Sequence, residues 1–138
     1  MKKVNLAVAA DEFQMIDQEL SVFYNTETGE FDFYADFLED IDPEQYDEDC
    51  WIPAPRYDEI DAYSIMVRFT DSLKNKRAKE LLSVALKGRG AFRRFKDTLH
   101  HLDLTDEWYA FQNEAYIEIA REWCEENDIP YENIPFIS

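Results

Sequence analysis

The sequence predicts a mainly helical α+β fold, with an N-terminal β-hairpin packed against a bundle of four to five helices. Three observations carry this. Two aromatic-rich runs, Leu20–Asn25 and Glu30–Ala35, flank the only glycine before position 88 and have the composition of strands. From residue 58 onward, apolar residues instead recur every three or four positions, the period of helices. The chain of 138 residues is 46% hydrophobic and 15% aromatic, enough for a packed core in a single domain. That domain reads as a hairpin region, 1–56, followed by a helical region, 57–138.

In chain order, residues 4–16 place Leu6, Ala9, Phe13 and Ile16 on one side of a short helix with Asn5 near its start. Val4, Leu6 and Val8 also alternate, so a strand over 4–9 competes. The hairpin follows, closed by Thr26-Glu27-Thr28-Gly29, where the glycine supplies the positive φ of a G1-bulge turn. Apolar side chains point to both faces: Val22 and Tyr24 against Phe23, Phe31 and Phe33 against Tyr34. Helices or a further strand are therefore expected to cover much of it. Residues 39–49 hold seven acids and read as a loop with one helical turn after Pro43; the following Cys50-Trp51-Ile52-Pro53-Ala54-Pro55 reads as extended backbone. Helices are predicted at 58–73, 75–87, Ala91–His101 and 106–127. Gly88 caps the second, Thr105 precedes the last, and Trp108, Phe111, Ala115, Ile119 and Trp123 line the last helix's apolar side.

The formal net charge of −17 opposes long-range attraction to nucleic acid and anionic membranes. It is unevenly spread. Residues 68–96 hold ten cations and two acids, net +8, and the rest of the chain holds four cations and 29 acids, net −25. Such segregation is a stronger clue than the total. No apolar stretch approaches the length of a membrane span, and Leu6 to Ala10 is too short for a signal-peptide core. Two cysteines, Cys50 and Cys124, are too few for a disulfide framework. The cytoplasm is the expected compartment.

The distinctive segment is Leu86-Lys87-Gly88-Arg89-Gly90-Ala91-Phe92-Arg93-Arg94-Phe95-Lys96-Asp97. Two glycines between two helices make a helix corner, and the start of the second helix offers free N–H groups to an anion. Lys87, Gly88, Arg89, Gly90, Arg93, Arg94 and Lys96 are the candidate binding residues. The spacing superficially resembles the helix-hairpin-helix loop that grips DNA backbone, but Arg89 stands where that loop prefers an apolar residue. The plainer reading is a tight turn whose cations pair with the protein's own acids.

Other chemistry finds little support. Asp40-Ile41-Asp42-Pro43-Glu44 starts like a calcium loop, yet Gln45 replaces its glycine and Trp51 its bidentate glutamate. His100 and His101 are adjacent and face apart, and Cys124 lies beside Glu125, which raises rather than lowers a thiol pKa. No metal-ligand spacing, P-loop or dinucleotide fingerprint is present. No cofactor, metal or catalytic residue is predicted. Trp108-Tyr109-Ala110-Phe111 and Tyr116 read as core rather than as a binding surface.

Gly88 to Asp97, followed by Trp108-Tyr109-x-Phe111, the Ala120 and Trp123 pair, the Thr28-Gly29-Glu30 turn and Met66-x-x-Phe69, resembles uncharacterised protein family 0158, a group of small bacterial proteins. The resemblance implies a bacterial cytosolic protein and brings no activity, substrate or site residue with it. Two functions remain in contention. One is a non-catalytic interaction or adaptor protein whose basic corner meets an acidic partner or a second copy of itself as a homodimer. The other is nucleic-acid binding through phosphate contacts from Arg89, Arg93, Arg94 and Lys96. An enzyme using clustered carboxylates and a metal is a more distant third.

Overall fold

Asn25 and Gly29 close the hairpin. The Asn25 carbonyl accepts from the Gly29 N–H at 2.8 Å, and its side-chain oxygen accepts from the N–H groups of Glu27 (2.8 Å) and Thr28 (3.1 Å). Gly29 takes φ +76°, a conformation that side chains with a Cβ resist. The computed structural model of the protein describes residues 2–38 and 40–134, so Glu39, the first acid of the acidic run, lies outside the described residues.

The architecture is mainly helical α+β, as the sequence predicts. The described elements run β1 (Val4–Asn5), α1 (Leu6–Phe13), β2 (Leu20–Asn25), β3 (Glu30–Ala35), a 3-10 turn at Pro43–Asp47, β4 (Trp51–Pro53), α2 (Tyr57–Ile60), α3 (Ala62–Ser72), α4 (Lys76–Ala85), α5 (Ala91–His101), α6 (Thr105–Glu126) and β5 (Tyr131–Glu132). They pack as two compact units. A hairpin unit comprises Met1–Ile60 and Tyr116–Ser138, and a helical unit comprises Asp61–Ala115. The helical region read from the sequence at 57–138 is thus divided, because α2 and the C-terminal half of α6 pack with the hairpin.

In the hairpin unit, β2 pairs antiparallel with β3 (Val22 opposite Phe33, Tyr24 opposite Phe31) and with β4 (Tyr24 opposite Ile52). The strand order is β3-β2-β4. Val22 and Tyr24 are buried on one face, where Phe13 of α1 meets Phe31 at 6.1 Å and Trp123 of α6 at 5.4 Å, both edge-on. The Trp123 indole N–H donates to the Pro53 carbonyl at 2.9 Å. On the opposite face Tyr46 stacks on Phe23 at 4.2 Å and meets Trp51 edge-on at 5.0 Å. Rings pack on both faces, which is why aromatic residues appear on both, although Phe33 of β3 stays 45% exposed. The competing readings of residues 4–9 are each right in part. Val4 and Asn5 pair in parallel with Tyr131 and Glu132, and Asn5 then caps α1, accepting from the Ala7 N–H at 3.1 Å.

In the helical unit, four rings form the core. Trp108 meets Phe95 at 5.0 Å and Phe69 at 5.4 Å, and Phe69 meets Phe111 at 5.4 Å. The single helix predicted at 58–73 is broken at Asp61, which takes φ 52° and caps α3, its carboxylate accepting from the Ser64 hydroxyl at 2.6 Å. Asn75 caps α4 through the Ala78 N–H at 3.1 Å. The buried side of α6 also differs from the predicted stripe. Trp108 is buried in its first half, whereas Tyr116, Ile117, Ala120, Trp123 and Cys124 are buried in its second, and Ile119 is only partly so. One helix serves two cores, so a single stripe cannot run its length.

Candidate functional site

The corner between α4 and α5 is tied down by side chains. Past the end of α4, Gly88 and Gly90 adopt φ +75° and +74° and turn the chain into α5. The carbonyls left without helical partners are taken up by two residues. Tyr63 of α3 donates its hydroxyl to the Leu86 carbonyl at 2.8 Å. Arg94 folds its guanidinium back, Nε donating to the Ala85 carbonyl at 3.2 Å and the two terminal nitrogens to the carbonyls of Arg89 and Lys87. A planar guanidinium suits this, since it donates in several fixed directions from one plane. A Cβ on Gly90 would stand 3.3 Å from the Arg94 terminal nitrogen, so this glycine provides both the turn and the room for the arginine.

The seven residues singled out in the sequence thus fall into two groups. Gly88, Gly90 and Arg94 build the corner. Lys87, Arg89, Arg93 and Lys96 are exposed, and no cation of the helical unit forms an ion pair among the described residues. The plainer reading, in which these cations pair with nearby acids, has no counterpart within the unit. Placement on α5 sharpens the point. Gly90 offers no side-chain cap, and no acid stands in the first turn, so Arg93 lies at the positive end of the helix, where a cation is unfavourable.

Sequence patterning did not reveal the apolar component of this surface. Val84 is 63% exposed and Phe92 51%, and Leu81 is exposed as well. Leu81 and Phe92 fall at helical spacing with the other apolar residues of their helices, but α4 and α5 bury Ala78, Leu82, Ala85, Ala91, Phe95 and Leu99 instead. On the outer side of α4, Lys76, Lys79, Glu80, Ser83, Val84 and Lys87 line an open groove of about 520 Å³. Three lysines, one carboxylate and an exposed valine suit an anionic chain with an apolar anchor. Tyr109 is exposed too, whereas Trp108 and Tyr116 are buried and Phe111 half-buried.

Elsewhere the chemistry is sparse. Cys50 and Cys124 are free thiols. Burial, reinforced by Glu125, pushes the Cys124 thiol up to about 11, away from a reactive thiolate. Asp42 caps the 3-10 turn through the Glu44 N–H at 3.0 Å, and no cluster of three or more His, Cys, Asp or Glu side chains suited to a metal occurs among the described residues. No helix among the described residues is long and apolar enough to cross a membrane.

The model of the uncharacterised protein family UPF0158 matches residues 5–133. The chain is similar to UPF0158 protein PA5073 of Pseudomonas aeruginosa, 36% identical over 66 residues that make up 47% of this chain and 43% of that protein. The matched stretch is less than half of either. No solved structure matches.

Proposed function

This chain belongs to the uncharacterised protein family UPF0158, and we propose that it is a protein-interaction module whose α4–α5 corner docks an acidic, partly apolar protein surface. The observation that carries the reading is the juxtaposition of unpaired, exposed Lys87, Arg89, Arg93 and Lys96 with exposed Val84 and Phe92. Cations give the partner its sign and speed its approach, and the apolar side chains give burial. Arg93 at an uncapped helix start is unfavourable for folding and becomes favourable when a carboxylate arrives. A protein is favoured over a nucleic acid because exposed Leu81 and Val84 gain burial against a protein surface and nothing from phosphates; the net charge of −17 repels either polyanion at long range and does not discriminate between them.

The test is fluorescence anisotropy with a labelled peptide of alternating Glu and Phe, alongside duplex and single-stranded oligonucleotides. Peptide binding that weakens with salt and is lost in Arg89→Ala/Arg93→Ala is the expected result. No peptide binding at about 50 mM salt, where charge attraction is little screened, overturns the reading. Oligonucleotide binding with a steep salt dependence would put phosphate contacts in its place.

A further inference from the structure

The chain carries an acidic, aromatic surface complementary to its own basic corner. Phe37, just beyond β3, is 67% exposed. In the same stretch of chain Asp36, Asp40 and Asp42 are all exposed. Asp36 and Asp42 both crowd Tyr34, whose hydroxyl is raised above its ordinary value first by burial and then by these two carboxylates. Asp36 and Phe37 are consecutive, so the exposed ring just beyond β3 has a carboxylate next to it in the chain, whereas Phe33 lies on the face of β3 opposite Tyr34. Within the hairpin unit, four cations stand against 23 acids. The ion pairs among its described residues involve Arg56 and Arg121 and none of these aspartates.

We infer that the partner of the α4–α5 corner is the acidic turn beyond β3, carrying Asp36 and Phe37, of a second copy of this chain. The inference rests on the interaction reading above and names its occupant. Each surface has what the other lacks. The corner presents exposed Lys87, Arg89 and Arg93 with exposed Val84 and Phe92; the hairpin unit presents exposed Asp36, Asp40 and Asp42 with exposed Phe37. Like-to-like pairing is disfavoured on both sides, since it would set lysine and arginine against their own kind, or aspartate against aspartate. The contact is thus between unlike surfaces. Two copies that exchange it reciprocally make a closed dimer, and a one-way exchange makes a chain of copies.

Sedimentation velocity of the full chain, with two variants, tests this. Lys87→Glu/Arg93→Glu spoils the corner and leaves the hairpin intact, and Asp36→Lys/Phe37→Ala does the reverse. The wild type is expected to sediment at twice the monomer mass or more at about 50 mM salt and as a monomer at about 500 mM, where the Debye length falls to a few ångströms. Each variant alone is expected to be monomeric, with unchanged circular dichroism and melting. An equimolar mixture of the two is expected to recover association, because one intact corner then faces one intact hairpin. A wild type that is monomeric at both salts overturns the inference, as does a mixture that stays monomeric. If the Glu/Phe peptide binds while the wild type stays monomeric, self-association fails and the interaction reading stands. If neither occurs, both fail.

Discussion

The two units hold themselves together in the same way and present opposite surfaces. Each core is a cluster of rings meeting mostly edge-on: Phe13, Tyr24, Phe31 and Trp123 in the hairpin unit, Phe69, Phe95, Trp108 and Phe111 in the helical unit. Edge-to-face pairs add a modest directional gain to the large area each ring buries. Outside those cores the hairpin unit carries four cations against 23 acids, net −19, while the helical unit carries ten against eight, net +2. The boundary in charge nearly coincides with the boundary in packing. Aromatic burial decides where each unit condenses, and the surface is left free to carry charge of either sign.

The comparison can be broken first at the cores. Phe13→Ala and Phe95→Ala should each cost about 3–5 kcal/mol, the usual range for truncating a fully buried phenylalanine. Hydrogen exchange should show the first loosening amides of β2, β3 and α1, and the second loosening α3, α4 and α5. Equal loosening everywhere in both variants would show one cooperative core rather than two.

At the corner, the two arginine neighbours should behave oppositely. Arg94→Ala strands three carbonyls and should lower Tm by roughly 4 °C or more, about 1 kcal/mol in a domain of this kind. Arg94→Lys should recover little of that, because an ammonium lacks the planar array of donors. Arg93→Ala, on an exposed and unpaired side chain, should shift stability by no more than about 0.5 kcal/mol while weakening peptide binding. Gly90→Ala should cost about 1–2 kcal/mol, since a side chain at φ +74° is strained and its Cβ would crowd Arg94. Gly88→Ala, at φ +75° with open space around it, should cost less. Equal losses at both glycines would show that Arg94 needs no room there.

Smaller effects probe the acidic surface. Burial, and then Asp11 beside it, raises the Glu12 carboxyl above its ordinary value. The folded chain therefore holds this proton to a higher pH than the unfolded chain does. Its contribution is complete below about 4.5, the unfolded value, and is lost as pH rises through the folded one. Glu12→Gln should raise Tm at pH 7 and flatten the decline above pH 4.5, as thermal melts across pH would show. The Tyr24 hydroxyl is buried without a hydrogen-bond partner. Tyr24→Phe should be neutral or stabilising by up to about 1 kcal/mol; a loss in urea unfolding would mean that the hydroxyl is in fact partnered.

Much of the fold was legible in local chemistry. Gly29 marked the hairpin turn, Asn5 and Asn75 marked helix starts, and α5 begins and ends where its apolar period does. Pairings between distant segments were not legible. β1 and β5 are two residues each and lie more than 120 positions apart, so neither has a period to detect. The break at Asp61 was hidden because Ile60, Tyr63 and Val67 follow a helical repeat across it. In the candidate site, Lys87, Arg89, Arg93 and Lys96 stood out by charge alone. The separate role of Arg94 depends on carbonyls five to nine residues away, and the exposure of Leu81 and Phe92 depends on which helix stripe found a neighbour.

What the sequence determined by itself is the family, the helix and hairpin inventory and the segregation of charge, because each follows from residue identity and short-range spacing. The tertiary structure decided that α6 divides between two cores, that Arg94 builds the corner while its neighbours stay free, and that apolar side chains stand among those free cations. These depend on which faces become buried, and helical period offers several candidate faces without choosing among them.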